Sequence, residues 1–230
     1  MILPPTIWQR FAGGERRSGI DTPPHGSFSY PAPPSLRYNH DFRGGRGHVR
    51  ERWFYRNDDE FNALAERLKW TPCPHCNAVG NLIRHGFLYG YDDTSPQRKT
   101  RRARRLFCSN RQARRGCGRT FSVWLADKIR RLSLNTTTLW QFLQRAAAGS
   151  IRAAIRAAGC QRSDRTWQRL WKRFDLGQSK IRTALLRRCR PPELPAGRPQ
   201  AQVLAHLQAA FPDATCPIAA FQHTLHTFFV

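Results

Sequence analysis

The spacing of four cysteines constrains the fold of this chain more than any other feature. Cys73 and Cys76 are separated by two residues, a spacing with which one short turn presents two thiolates to a single metal ion. Cys108 and Cys117 form a second pair, whose members are separated by eight mostly polar or basic residues. Four thiolates in a tetrahedral array suit a closed, structural Zn²⁺ site and leave no open position for catalysis. We therefore predict one structural zinc ion held by these four residues.

Other chemistries would use the same residue type. A redox Cys-x-x-Cys motif is expected in a βαβ context, which is not visible around Cys73, and an iron–sulfur cluster is the remaining alternative. His75 or His85 is an alternative ligand in place of one cysteine. The total of seven cysteines is odd, which argues against a closed disulfide framework. The three cysteines outside the pattern are predicted to be small buried residues: Cys160, Cys189 and Cys216.

The segments around the cysteines have strand character. Residues 82–89 are predicted to form a hairpin strand, and residues 105–107 and 119–121 are predicted to be strands on either side of the second cysteine pair. With the four cysteines, these segments predict a small zinc ribbon of β-hairpins over residues 71–125. Residues 51–70 lead into it, and their pattern predicts a helix over 58–69.

The rest of the chain is predicted to be mainly helical. In the first helix, before the ribbon, Asn57 is the expected cap and Glu60 its capping-box partner. After the ribbon, three apolar stripes follow the helical spacing: Leu139, Phe142, Leu143 and Ala146; Ile151, Ala154, Ile155 and Ala158; Trp167, Leu170, Trp171 and Phe174. A basic helix over 178–189 and a Pro-rich linker over 191–200 follow.

The two ends of the chain differ in composition. Residues 1–50 are rich in Pro, Gly and Arg and are predicted to be a disordered leader. Residues 201–230 are apolar and predict two short helices, the last opened by Pro217. The stripe of that last helix is expected to fold back onto the domain or to form a homodimer contact.

The charge of the chain requires an anionic partner. Lys and Arg number 39 against 15 Asp and Glu, a formal net charge of +24 and a pI near 11.4. Nucleic acid is the most common partner of such a protein, whereas a membrane would require an apolar span, an amphipathic basic helix or a lipid anchor. The first residues show no secretory pattern, so we expect a cytoplasmic protein without membrane contact, nucleoid-associated if the source is bacterial.

Two basic segments are predicted to contact DNA. The first is a dense run at residues 98–105, expected in the central loop of the ribbon and suited to phosphate contacts: Arg98, Lys99, Arg101, Arg102, Arg104 and Arg105. The second lies over 130–190, in a pattern of short helix, glycine turn and longer helix that is typical of a helix-turn-helix domain. Ser150 is the expected cap of the short helix and Ser163 that of the longer one. The outer face of the longer helix has side chains that read bases in the major groove: Arg165, Thr166, Gln168, Arg169, Lys172 and Arg173.

The cysteine region resembles the amino-terminal zinc ribbon of bacterial insertion-sequence transposases at residues 73–76, Phe107–Cys108 and residues 116–121. The helices that follow it resemble the helix-turn-helix of those proteins. The resemblance covers roughly residues 70–175 and implies binding to transposon ends or a related promoter. The catalytic domain of those enzymes requires three separated carboxylates. Only some 55 residues follow Phe174 here, too few for that domain.

The sequence therefore predicts a small α+β protein that binds double-stranded DNA as an accessory or regulatory relative of transposases and has no enzymatic activity of its own. One alternative is a DNA-recognition subunit that acts with a transposase catalytic subunit in trans. The other is an RNA-binding or scaffold protein whose helices form only a bundle.

Overall fold

The computed structural model describes residues 53–93, 97–111, 114–158, 162–193 and 197–230 of the 230-residue chain. The predicted leader and the predicted glycine turn with Cys160 lie outside these residues. Within the described part, the protein is a small α+β fold in which a four-stranded mixed sheet is followed by a mainly helical region. The predicted fold class is confirmed at this level. No described helix has the length and apolar character needed to cross a bilayer.

The sheet has the strand order β1-β4-β3-β2, with β1 at Phe54–Tyr55, β2 at Leu82–Tyr91, β3 at Lys99–Cys108 and β4 at Thr120–Leu125. β2 pairs antiparallel with β3, β3 antiparallel with β4, and β1 parallel with β4. The strands predicted around the cysteines are thus confirmed. β1 was not predicted and lies within the segment expected to lead into the ribbon as a helix.

The basic run at residues 98–105 was predicted as a loop, and this prediction is wrong. From Lys99 onward the run belongs to β3, which pairs with β2 along its length and with β4 from Ala103 to Phe107. Its charge density is typical of a loop, but its backbone pairs with β2, and from Ala103 onward also with β4. A register shift at Arg102 also breaks the two-residue alternation that would have identified the strand.

α1 spans Asp58–Arg67 and continues as a single 3₁₀ turn, Leu68–Trp70. The Asn57 side chain accepts a hydrogen bond from the backbone N–H of Glu60 at 2.9 Å, as predicted. The Glu60 carboxylate accepts from the backbone N–H of Arg56 at 2.7 Å. In a standard capping box the Glu60 carboxylate would accept from the backbone N–H of Asn57, the cap itself; here it accepts from the residue before the cap.

The helical region contains α2 at Thr136–Ala148, α3 at Ile151–Ala157, α4 at Asp164–Leu186, α5 at Pro199–Ala210 and α6 at Pro217–Leu225. α4 unites two helices that were predicted separately, because Gly177 within a helix costs only about 1 kcal/mol and the buried stripe continues through Ile181 and Leu185. Ser163 precedes α4 without capping it through its side chain.

Two apolar clusters support these regions. The larger one fills the space between α2, α4, α5 and α6, and includes Leu143, Trp167, Phe174, Leu207 and Ile218. The smaller one lies between α1 and the sheet: Tyr55, Phe61, Leu68, Leu82, Leu106 and Val123, with Cys73 and Cys108. The stripe of α6 is buried within the chain, so a homodimer through this helix remains a prediction that would have to use its exposed side.

Candidate metal centre and nucleic-acid interface

The structure brings the four predicted cysteines together. Their sulfur atoms all lie within 4.8 Å of one another, with 3.8 Å between Cys73 and Cys117 and 3.7 Å between Cys76 and Cys108. Four sulfurs placed tetrahedrally around one zinc ion at about 2.3 Å are separated by about 3.8 Å. The cluster therefore has the dimensions of a four-thiolate metal site and can hold one metal ion.

The first cysteine turn is held by three backbone N–H groups. Cys73 donates to the carbonyl of Ala78 at 3.0 Å, and Asn77 donates to the carbonyl of Cys73 at 2.8 Å. The N–H of His75 points at the Cys73 sulfur, with 3.4 Å between nitrogen and sulfur. Asn77 has a left-handed φ of 59°, which asparagine tolerates better than most residues and which closes the turn.

The second turn repeats this pattern despite its wider spacing. Cys108 donates to the carbonyl of Arg119 at 2.9 Å, and Gly118 donates to the carbonyl of Cys108 at 2.9 Å. The N–H of Cys117 points at the Cys108 sulfur at 3.3 Å. Gly118 has a φ of 68° and occupies the position that Asn77 has in the first turn. The two turns are therefore equivalent around the sulfur cluster.

The eight-residue spacing is accommodated because the extra residues form a loop of their own. The N–H of Gly116 donates to the carbonyl of Ser109 at 3.0 Å, which closes the loop at its base. A Cβ at position 116 would lie 2.2 Å from that carbonyl oxygen and 2.8 Å from the Cys108 sulfur, so only glycine fits here. This contact brings the two ends of the insertion together beside the sulfurs; residues 112–113 lie outside the described part.

The thiols differ in their environment. Burial raises the pKa of the Cys108 thiol to about 12 and also raises the pKa of Cys73, whereas a backbone hydrogen bond from Ala78 lowers the pKa of Cys76. The two buried sulfurs are therefore protonated at neutral pH in the absence of metal. A metal ion has to displace these protons, so binding releases them and weakens as the pH falls.

The histidines that were alternative ligands are not part of the sulfur cluster. The ring of His75 packs against Phe121, with 6.3 Å between centroids, and that of His85 lies 5.3 Å from the ring of Phe107. Of the cysteines outside the site, Cys216 is buried and Cys189 is half-buried.

Arg102 is only 5% exposed, so its side chain is not accessible for the DNA contact that was predicted for it. Its guanidinium donates to the carbonyls of Tyr91, Ile129 and Leu132 at 2.6, 2.7 and 2.5 Å. A Cβ at Gly90 would lie 2.6 Å from the Arg102 Cδ, so the glycine allows this side chain to pass beneath β2. Arg102 therefore joins the sheet to the segment before α2.

The other cations of the run are only partly free. Arg101 and Arg104 both donate to the Asp58 carboxylate, at 2.6 and 2.7 Å, and these hydrogen bonds hold the pKa of Asp58 below its usual value. Arg105 donates to the Thr120 hydroxyl at 3.2 Å. The remaining two cations of the run, Arg98 and Lys99, are exposed.

The predicted reader face lies on α4. Trp167, Leu170 and Phe174 are buried against the helical core, so the opposite side of the helix faces solvent. Five of the six predicted residues are exposed: Arg165, Gln168, Arg169, Lys172 and Arg173. Thr166 is half-buried, and its hydroxyl lies 3.0 Å from that of Ser163.

α3 lies between α2 and α4 along the chain and contacts both. The Ser150 side chain accepts a hydrogen bond from the N–H of Ala153 at 3.1 Å, which confirms the predicted cap. Arg162 donates to the carbonyl of Ser133 and so attaches the start of α4 to the segment before α2.

Sequence reasoning missed a row of exposed aromatic rings on β2, formed by Phe87, Tyr89 and Tyr91. The signal was present as three aromatic residues at alternate positions of a predicted strand. Alternate residues of a strand share one face, so the pattern indicates a single aromatic surface.

Comparison of the chain with protein-family models, with curated proteins and with solved structures gives no significant match. The geometry of the site is therefore the basis for assigning a function.

Proposed function

We propose that this protein binds double-stranded DNA through the exposed face of α4 and uses a zinc-stabilised ribbon as a structural support. The observation that carries the proposal is the division of α4 into two faces, one buried and aromatic and the other cationic. Five exposed polar side chains, four of them cationic, lie on a rigid helix of 23 residues. Arg pairs with guanine and Gln with adenine in the major groove, so this face has the chemistry of direct readout.

The arrangement of α3 and α4 supports a helix-turn-helix. A seven-residue helix with a serine cap precedes the longer helix that bears the cationic face. In that motif the second helix enters the major groove and the first crosses the phosphate backbone. Arg152 and Arg156 of α3 are exposed and are the cations that we expect to contact phosphates.

Zinc is the proposed ion of the sulfur cluster. Four thiolates at tetrahedral distances are the ligand set of structural zinc, and they leave no position for a reacting water or substrate. The role proposed for the ion is to hold β2, β3 and β4 together around a small apolar core. We therefore propose no enzymatic activity for this protein.

Following the resemblance to transposase ribbons, we propose transposon ends or a related promoter as the DNA to be tested first. A gel-shift titration at several salt concentrations tests the proposal. Binding is expected to weaken steeply with salt, since phosphate contacts release counterions. The double variant Arg165→Ala with Arg169→Ala is expected to lose at least about tenfold in affinity.

The matched control is Arg67→Ala with Lys69→Ala, which removes the same charge from exposed positions at the end of α1. This control is expected to retain the sequence preference of the wild-type protein. Absence of binding at low salt would overturn the proposal. An Arg165 and Arg169 double variant with unchanged affinity and preference would overturn the assignment of α4 as the reader.

A further inference from the structure

The outer strand of the sheet has an exposed aromatic surface that the proposed reading of duplex DNA does not use. Phe87, Tyr89 and Tyr91 are 41%, 57% and 50% exposed and alternate along β2, which lies at the edge of the sheet. We call these three residues the aromatic row. Neighbouring large rings exposed to water are costly in a soluble protein and generally mark an interaction site.

Each ring of the aromatic row has a cation directly opposite on β3. The registered pairs are Phe87 with Arg104, Tyr89 with Arg101, and Tyr91 with Lys99. Directly opposed residues of antiparallel strands share one face of the sheet, so three aromatic–cation pairs follow one another across this face.

The cations lie over the rings. The guanidinium carbons of Arg101 and Arg104 are 5.5 and 5.1 Å from the centroid of Phe87, and the Lys99 ammonium is 5.8 Å from that of Tyr91. Positive charge is thereby held within a few ångströms of surfaces on which a flat ring can stack.

Alternating rings and cations match the two parts of an unpaired nucleotide chain. Bases stack on aromatic side chains whatever their sequence, and the cations beside the rings attract the phosphates. In a duplex the base faces are covered by their neighbours, so a stacking surface of this kind selects unpaired strands. We propose that the aromatic row and its three cations bind single-stranded DNA. The choice of DNA over RNA rests on the proposed function; the stacking surface itself does not depend on α4.

Charge excludes a second copy of this chain as the occupant. Two copies facing each other through this surface would bring two sets of Arg101, Arg104 and Lys99 together. The one carboxylate that contacts these cations in the described residues, Asp58, binds both arginines from within the same chain. The surface is therefore complementary to a polyanion, whose phosphates would compete with Asp58 for the two guanidiniums.

The experiment uses the full-length protein and an oligothymidylate of about 12 nucleotides with one 2-aminopurine, whose fluorescence responds directly to stacking. The double variant Tyr89→Leu with Tyr91→Leu is expected to lose at least about tenfold in affinity and to abolish the fluorescence change. The pair Tyr89→Phe with Tyr91→Phe retains the stacking faces and is expected to bind as wild type does. Circular dichroism and zinc content confirm that the variants are folded.

Trp70→Leu is the matched control, because Trp70 is 79% exposed but lies in the turn before the first cysteine pair. It is expected to leave single-strand affinity unchanged. Equal binding by wild type and the Tyr→Leu variant, or at least tenfold tighter binding of RNA of matched sequence, overturns the proposal. Duplex binding is measured in parallel. The two sites are distinct if the α4 variant loses only duplex binding and the β2 variant loses only single-strand binding.

Discussion

The sheet and the helical region both carry dense positive charge, but they use it differently. On β3, Arg102 is buried and Arg101 and Arg104 share one carboxylate, so these three cations make contacts within the fold. On α4 the cations stand on the solvent side of a helix whose other side forms the core, for example Arg169 and Arg173. The cations of α4 are therefore available to an external anion without competition, whereas an anion that approaches Arg101 and Arg104 has to compete with Asp58.

The two regions also differ in how they are stabilised. The helical region buries many large apolar side chains, whereas the core beneath the sheet is small and includes two of the cysteines. Below a certain core size, small folds need a metal or a disulfide to remain folded. The sheet is therefore expected to depend on the proposed zinc ion for its stability, and the helical region is not.

Removal of the metal is expected to have the largest effect. A strong chelator should abolish amide-exchange protection in β2, β3 and β4, since structural zinc contributes on the order of 10 kcal/mol to small domains. Protection in α2 and α5 should persist. Hydrogen exchange followed by mass spectrometry measures both regions in one sample.

Metal loss from the sulfur cluster is expected to increase as the pH falls. Protons compete with the ion for the thiolates, so the metal should be lost as the pH falls and rebound as it rises. If β2, β3 and β4 keep their amide-exchange protection at neutral pH in the presence of the chelator, the proposed structural role of the ion is wrong.

Truncation of the buried arginine is expected to rank second. Arg102→Ala leaves three carbonyls without their donor and should lower the free energy of unfolding by at least about 2 kcal/mol. Urea denaturation measures this change in the free energy of unfolding. Arg105→Ala on the same strand removes one hydrogen bond to Thr120 and serves as the control, with an expected loss of about 1 kcal/mol or less. Equal losses in both variants would show that Arg102 does not anchor the sheet.

The exposed cations of α4 are expected to affect binding without affecting stability. Lys172→Ala with Arg173→Ala should change the free energy of unfolding by no more than about 0.5 kcal/mol. The slope of log affinity for duplex DNA against log salt should fall by about two. The same slope in wild type and variant would place both side chains away from the phosphates.

The smallest effect is expected from Asp58→Asn, which releases Arg101 and Arg104 for an external anion. Affinity for oligothymidylate should rise a few-fold, because two cations lose their internal partner. The Asp58 pKa is depressed, so its ion pairs stabilise the protein above the ordinary carboxylate pKa, and this contribution is lost as the pH falls through the lower folded value. Asp58→Glu preserves the charge and is the control; unchanged affinity in Asp58→Asn would mean that the two arginines do not reach the DNA.

Local signals in the sequence predicted much of this molecule. The helix caps at Asn57 and Ser150, the three apolar stripes and the strands beside the cysteines were all predicted from residues close together in the chain. The convergence of four sulfurs followed from spacing alone, because a metal site needs few residue types at short separations.

The errors came from interactions between residues far apart in the chain. Whether Arg102 is solvated or buried depends on carbonyls 27 and 30 residues away, which no local pattern reveals. β1 has two residues and exists only through its pairing with β4. The helices predicted separately, one ending near Phe174 and one over 178–189, are continuous because tertiary packing outweighs the low helix preference of Gly177.

The loop closed at Ser109 and Gly116 has a consequence for how this site can vary. Because its two ends are already joined by a hydrogen bond, the length of the loop is decoupled from the geometry of the sulfurs. Doubling the number of residues in a flexible closed loop adds only about 0.6 kcal/mol of entropic cost. Related chains are therefore free to lengthen, shorten or re-sequence this segment, and a peptide tag inserted there should leave metal affinity intact.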